Sequence, residues 1–264
     1  MCGIIGSTHK LSRLNTNSLS HRGPDSSNIL QLNNICICHC LLSIIDKQGG
    51  LQPISGSNDD AHMVFNGEIY NYIELRAQLI KEHNVEFKTK SDTEVLLQMY
   101  ITHGIEKTLS AVNGMFAFAI VDNRDINNQL LFLARDRFGK KPLFYTTKNN
   151  NVTFASEINP IRDIIGINNL SVDATAVAMY FNMFYITAPN TIWNEIRALE
   201  PGTYMKYNLN NNSYDIQRYY NPAEKYSAIS FSILENLIAD ATKIRMRSDV
   251  PLGAYLSGGI DSSL

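Results

Sequence analysis

The 264-residue sequence has no block of lysine and arginine and no basic amphipathic run, and its formal net charge is only −2. A chain without a concentrated positive field is a poor match for nucleic acid or an anionic membrane, so a small polar substrate fits better. Long apolar stretches are also missing. The longest, such as MFAFAIV at 115–121, falls far short of the roughly 20 residues that cross a bilayer. Residues 1–20 carry no charged head followed by an apolar segment, so no secretory signal is read. Cysteine is scarce: four occur, three of them packed as CICHC at 36–40, unlike the dispersed pattern of a disulfide-stapled secreted domain. These absences predict a soluble, cytoplasmic protein in a reducing compartment.

What is present suggests more than one domain. A first helix is predicted over Ile73–His83, with Leu75 and Leu79 one turn apart. A second opens with Ser91 and Glu94 at capping-box spacing and stops at Gly104, the residue a helix C-terminus favours. Four apolar runs follow, MFAFAIVD, QLLFLARD, PLFYTT and NVTFAS, separated by DNRDINN, RFGKK and KNNN. They predict a meander of buried antiparallel strands. Residues 165–228 are mixed and end in a hairpin signalled by Pro201-Gly202 and an Asn-rich turn. Phe231, Leu234, Ile238, Ala241 and Ile244 recur at helical spacing within Ser230–Arg247. After them, VPLGAYL reads as a strand running into a glycine–serine loop and the start of a helix.

Two short stretches carry candidate chemistry. Removal of Met1 would leave Cys2 with a thiol and a free α-amine on one carbon, and a partly neutral amine near pH 8 can accept the thiol's proton. A buried strand cysteine is the alternative. In FNGEIYN at 65–71, Asn66-Gly67 can be a tight turn. It can equally supply a carboxamide and an adjacent N–H that converge on one oxyanion, with glycine allowing close approach.

MCGIIG, HRGPD at 21–25, NGEIYN at 66–71, SDTE at 91–94, NGMFAFAI at 113–120, RDRFGKKPLFY at 135–145 and SGGIDSSL at 257–264 together resemble the glutamine-hydrolysing asparagine synthetases. The resemblance implies an α+β, four-layer αββα N-terminal-nucleophile fold, with two stacked antiparallel sheets between helices. Residues 1–200 would form a class II glutamine amidotransferase domain, and 201–264 a connecting hairpin and the beginning of an α/β ATP-binding synthetase domain. It also implies roles: Cys2 attacks the glutamine side-chain amide, Asn66 and Gly67 hold the oxyanion, and Asp92 with Glu68 binds the substrate's α-ammonium. Main-chain groups of Leu42 and Ile45 complete the pocket. Leu256, Ser257, Gly258, Gly259, Asp261 and Ser262 would cradle the phosphates of ATP, Asp261 with magnesium. That loop is independently an anion nest by composition. HRGPD is read as a loop beside the nucleophile without a chemical role.

One residue departs from the pattern. Leu41 stands where the family carries an arginine that grips the glutamine α-carboxylate, and losing one partner of such a pair costs about 2 to 5 kcal/mol. His39 and Lys47 are the nearby candidates to replace it, though neither offers a planar fork. A metal site at CICHC is rejected, because alternate strand residues lie roughly 6.6 Å apart and His39 points the other way. The implied reaction is asparagine synthesis from aspartate and ATP with glutamine-derived ammonia. The substrates are small molecules, no nucleic acid or membrane partner is expected, and a homodimer is conceivable. The alternatives are another amidotransferase of this architecture, or a weak or silent glutaminase acting as a binding module. Because the sequence stops within the phosphate loop, these residues alone are expected not to form asparagine.

Overall fold

A computed structural model describes residues 1–8, 14–222 and 229–263; Leu264, the last residue of SGGIDSSL, lies outside them. The first sheet contains β1 (Gly3–Ser7), β2 (Ser26–Gln31) and β3 (Cys36–Leu41). The second begins with the short β4 (Ile54–Ser55) and the long β5 (Ala61–Ile69). Three helices follow, α1 (Tyr72–His83), α2 (Asp92–His103) and α3 (Ile105–Ala111), before β6 (Gly114–Asp122) and β7 (Leu130–Arg135) extend the second sheet. β8 (Phe144–Thr146) and β9 (Thr153–Ala155) return to the first, beyond which lie α4 (Ile158–Ile165), α5 (Ala174–Met183) and β10 (Arg197–Ala198). The hairpin of β11 (Thr203–Asn208) and β12 (Tyr214–Arg218) closes the second sheet. The strand orders are β10-β8-β9-β1-β3-β2 and β12-β11-β7-β6-β5-β4, and every pairing is antiparallel.

The layering follows from the two faces of each strand. Ile4 and Ile37 from the first sheet meet Val64, Ala117, Ala119, Leu133 and Met205 from the second in an inter-sheet core. Phe65, Phe116, Phe118 and Ile120 project from the other face of the second sheet onto Leu75, Leu79, Leu96 and Leu109 of the helices. Cys36, Cys38 and Cys40 share the outer face of β3 and pack with Ile5, Leu19 and Ile161. All four cysteines are free. Among the described residues no group of three or more His, Cys, Asp and Glu side chains is placed to hold a metal ion.

The expected meander is instead divided between the sheets. β6 and β7 pair in the second, whereas β8 and β9 pair in the first. Asp136 organises the crossing, its carboxylate accepting from the N–H groups of Phe116, Phe138, Lys140 and Lys141 at 2.9–3.2 Å. Apolar pattern reports that a strand is buried, not which of two stacked sheets it joins. The hairpin that follows Pro201-Gly202 likewise does not merely connect, since β11 runs antiparallel to β7 over Tyr204–Asn208.

Ser91 caps α2 by accepting from Thr93 N at 3.0 Å. The expected capping box is only half formed, because Glu94 turns back to accept from the N–H groups of Lys88 and Thr89. In the last part of the chain, α6 (Phe231–Arg245) forms as predicted with Ser230 as its cap, but Phe231, Leu234 and Leu237 are exposed. The strand expected at VPLGAYL does not form, and Tyr255 and Leu256 are exposed. A strand requires a hydrogen-bonded neighbour, and none of the described strands pairs with it. The helix after the glycine–serine loop does start, as α7 (Ile260–Ser263).

The tightness of the first sheet makes a measurable difference between two glycines. A Cβ at Gly6 would lie 2.4 Å from Phe154 Cζ, whereas one at Gly253 would meet nothing within 4 Å. Gly6→Ala is expected to lower unfolding free energy by about 1–3 kcal/mol in urea titration, with Gly253→Ala within about 0.5 kcal/mol of the parent.

Candidate active site

Antiparallel pairing of β1 with β3 sets Gly3 opposite Cys40, so Cys2 falls at the end of β3. There its Sγ receives the Leu42 N–H at 3.4 Å and lies 3.5 Å from the Leu42 carbonyl oxygen. Cys2 opens onto a cleft that Leu41, Leu42, Ile45, Asn66, Gly67, Glu68, Asp92 and Lys141 also line. Every residue predicted for glutamine therefore reaches one cleft. Burial pushes the Cys2 thiol above its ordinary range, opposed by the Leu42 N–H and by the charge of the amino terminus. Burial also lowers the amino-terminal ammonium of Met1.

The wall opposite Cys2 is the free edge of β5. β4 pairs only with His62 and Met63, leaving the strand beyond them uncovered on that side. The Gly67 and Phe116 pair is not hydrogen-bonded across β5 and β6, because Phe116 spends its N–H and carbonyl on Asp136. Strand alternation then aims the N–H groups of Phe65, Gly67 and Ile69 outward together. Phe65 N donates to Gln52 Oε1 at 2.7 Å and Ile69 N to Asp92 Oδ2 at 2.9 Å. Between them the Gly67 N–H faces the cleft. Asn66-Gly67 is thus mid-strand, not a turn. Glycine is required here by packing, since a Cβ at position 67 would stand 2.1 Å from Met115 O.

The Asn66 side chain is 1% exposed, yet neither its Nδ2 nor its Oδ1 has a hydrogen-bond partner among the described residues. A buried amide left unpaired costs about 1–3 kcal/mol. Asp92, the first residue of α2, is buried and raised to about 7. Desolvation is the main cause, opposed by the Ile69 N–H and reinforced by the charge of Glu68. Glu68 is itself raised by burial, against the pull of Lys141.

Leu41 lines the cleft, and neither His39 nor Lys47, the candidates named to replace the family's arginine, does so. His39 is buried between the sheets with Nε2 3.0 Å from the Phe65 carbonyl oxygen, and burial lowers it to about 4. Lys47 is exposed and outside the cleft. Among the described lining residues the cation is Lys141, only 6% exposed. Its Nζ lies 3.1 Å from Met1 Sδ, and burial lowers its affinity for protons. Lys141 sits in a segment quoted for the family resemblance, but nothing local indicates that it folds back on residue 1. Arg22 is the other residue the sequence reading passed over. Its Nε donates to the Cys2 carbonyl at 3.0 Å and its Nη1 to Glu157 at 3.2 Å, so HRGPD anchors the nucleophile's backbone.

The glycine–serine loop lies apart from this cleft and is exposed. Gly258 has φ 78°, and the Ser257 and Ser262 hydroxyls lie 2.9 Å apart.

Asparagine synthetase [glutamine-hydrolyzing] 1 of Bacillus subtilis is 36% identical over an alignment covering 100% of this chain and 43% of the relative, so the chain spans less than half of that protein. Among solved structures, the allosteric regulatory enzyme of purine biosynthesis superposes with a TM-score of 0.62 at 19% identity, covering 83% of this chain and 49% of the other. The glutamine phosphoribosylpyrophosphate amidotransferase of B. subtilis gives 0.59 at 19% identity with the same coverages. These likenesses support the N-terminal-nucleophile fold. Residues 234–264 match the asparagine synthase family. Residues 1–220 match the glutamine amidotransferase domain, and the chain belongs to that family.

Proposed function

We propose that this chain hydrolyses glutamine at Cys2 and that the complete enzyme uses the ammonia to form asparagine from aspartate and ATP. One observation carries the reading: a thiol and a buried, unpartnered carboxamide line the same cleft. With Met1 removed, the α-amine of Cys2 takes the thiol proton as Sγ bonds to the glutamine amide carbon. The Asn66 Nδ2 and Gly67 N–H receive the resulting oxyanion. Collapse expels ammonia, which leaves with the proton held by the amine, and forms a thioester. Water cleaves the thioester to glutamate and restores the thiol. Asp92 and Glu68 hold the substrate's ammonium, with Leu42 and Ile45 contributing main-chain groups. The glutaminase unit extends to about residue 220, because the β11–β12 hairpin completes its second sheet. The later residues begin a synthetase unit whose Leu256–Ser262 segment, with Asp261 toward magnesium, would hold the phosphates of ATP and activate a carboxylate there.

Ammonia release from glutamine is expected from the processed chain, with Cys2→Ala abolishing it. Asn66→Ala is expected to lower kcat about 100-fold to 1000-fold, at unchanged circular dichroism. A chain with intact mass including Met1 should be inactive.

The raised Asp92 carboxyl sets a pH dependence. Between 3.8 and about 7 the unfolded chain has released this proton while the fold retains it, so the group lowers stability as pH rises through that window. Substrate ammonium needs the ionised carboxylate, so glutamine affinity should rise with pH to about 7 and then level off. Asp92→Asn should weaken binding and flatten this limb in KM measured against pH.

Leu41→Arg restores a carboxylate partner. It is expected to lower the KM for glutamine about tenfold or more; equal and high activity in both forms would refute the missing-clamp argument.

A further inference from the structure

The loop from Leu42 to Gly50 forms one wall of the cleft, contributing Leu42, Ile44, Ile45 and Gly50. It is gathered around Asp46, which has a left-handed backbone with φ 50°. The Asp46 carboxylate accepts from Gly49 N at 2.9 Å and from Lys90 N at 2.7 Å, and its carbonyl accepts from Gly50 N at 2.7 Å. Asp46 thereby ties the loop to the turn that carries Ser91 and Asp92. Its own N–H goes elsewhere, to Asp249 Oδ2 at 2.7 Å, while Asp249 N donates to Ile44 O at 3.0 Å. Two residues earlier, the Arg247 guanidinium meets both oxygens of Glu74 at 2.5 and 2.6 Å and also the Tyr70 carbonyl. Tyr70 directly follows β5, the strand of Asn66, Gly67 and Glu68. Arg245 lies over the Tyr70 ring at 4.7 Å.

We propose that Arg247 and Asp249 are positioning residues of the glutamine cleft, clamping its two walls from outside the glutaminase unit. Asp249 acts on the Leu42–Gly50 wall through Asp46 and Ile44. Arg247 acts on the β5 wall through Tyr70 and Glu74. Both belong to the segment joining α6 to the glycine–serine loop, so a cleft built in the first part of the chain takes its final shape from the second. The clamp rests on the glutamine reading for its purpose, though its contacts stand independently. Small displacements of a binding wall have large kinetic effects, because reacting atoms must be held near 3–3.5 Å in the correct orientation.

The test uses the processed full chain and compares labelling of Cys2 by a glutamine-shaped chloromethyl ketone with labelling by iodoacetamide, which needs no pocket. Asp249→Ala is expected to slow the chloroketone about tenfold and leave iodoacetamide unchanged. Asp249→Asn, which keeps an acceptor oxygen for Asp46 N–H, should recover most of the rate. Arg247→Ala should slow the chloroketone in the same selective way. Hydrogen exchange supplies a second readout, with the Asp46 amide losing protection in Asp249→Ala. The proposal is overturned if the chloroketone rate and the Asp46 amide are both unchanged, or if both reagents slow equally. If the parent chain shows no preference for the chloroketone, the glutamine reading fails and Asp46 exchange decides the clamp: protection lost upholds it, protection kept overturns it.

Discussion

The site depends on a strand edge that is left unpaired for a reason. Uncovered edges are usually suppressed because their N–H and C=O groups recruit other chains. Here β4 stops after two residues, and side chains take over the edge of β5. Gln52 takes the Phe65 N–H, His39 lies against the Phe65 carbonyl, and Asp92 takes the Ile69 N–H. The Gly67 N–H between them is the one offered to the cleft. Because neighbouring groups are already satisfied, the edge presents a localised donor and not a template for a strand. Asn66, on the alternate face, points between the sheets toward the end of β3 where Cys2 lies. Period-two alternation thus delivers a backbone and a side-chain donor to one place.

The same economy governs charge. Four ionisable side chains line the cleft, a thiol, two acids and one ammonium, and burial shifts all of them toward neutrality. Each opposes that shift in a neighbour of opposite sign or reinforces it in one of like sign. Leu41, being uncharged, adds no desolvation penalty of its own to that balance.

Much of this was legible in the sequence, and the failures have a common cause. Cys2, Asn66, Gly67, Glu68 and Asp92 lie within the short motifs that carry the family resemblance, and all of them line one cleft. α1, α2 and α6 follow from periodicity and caps. Lys141 approaches Met1 from 140 residues away, and Gln52 and Arg22 earn their places through contacts no local pattern encodes. The strand runs from 115 to 156 were visible, but their division between sheets was set by Asp136, an acid in a turn-like segment. VPLGAYL has the composition of a strand without a neighbour to pair with, and composition alone does not make a ladder. Ser91 and Glu94 had the right spacing for reciprocal capping, yet tertiary contacts drew Glu94 to Lys88 and Thr89.

The stack of Cys36, Cys38 and Cys40 on the outer face of β3 has a practical corollary. All three are sealed beneath helical cover; burial keeps Cys36 in the unreactive thiol form, and contact with the Cys40 thiol together with burial does the same for Cys38. Cys2 is the half-exposed sulfur of the four. In the native state an electrophile therefore encounters a single chemically open handle, so adduct stoichiometry per polypeptide becomes a direct gauge of how intact the nucleophile's surroundings are.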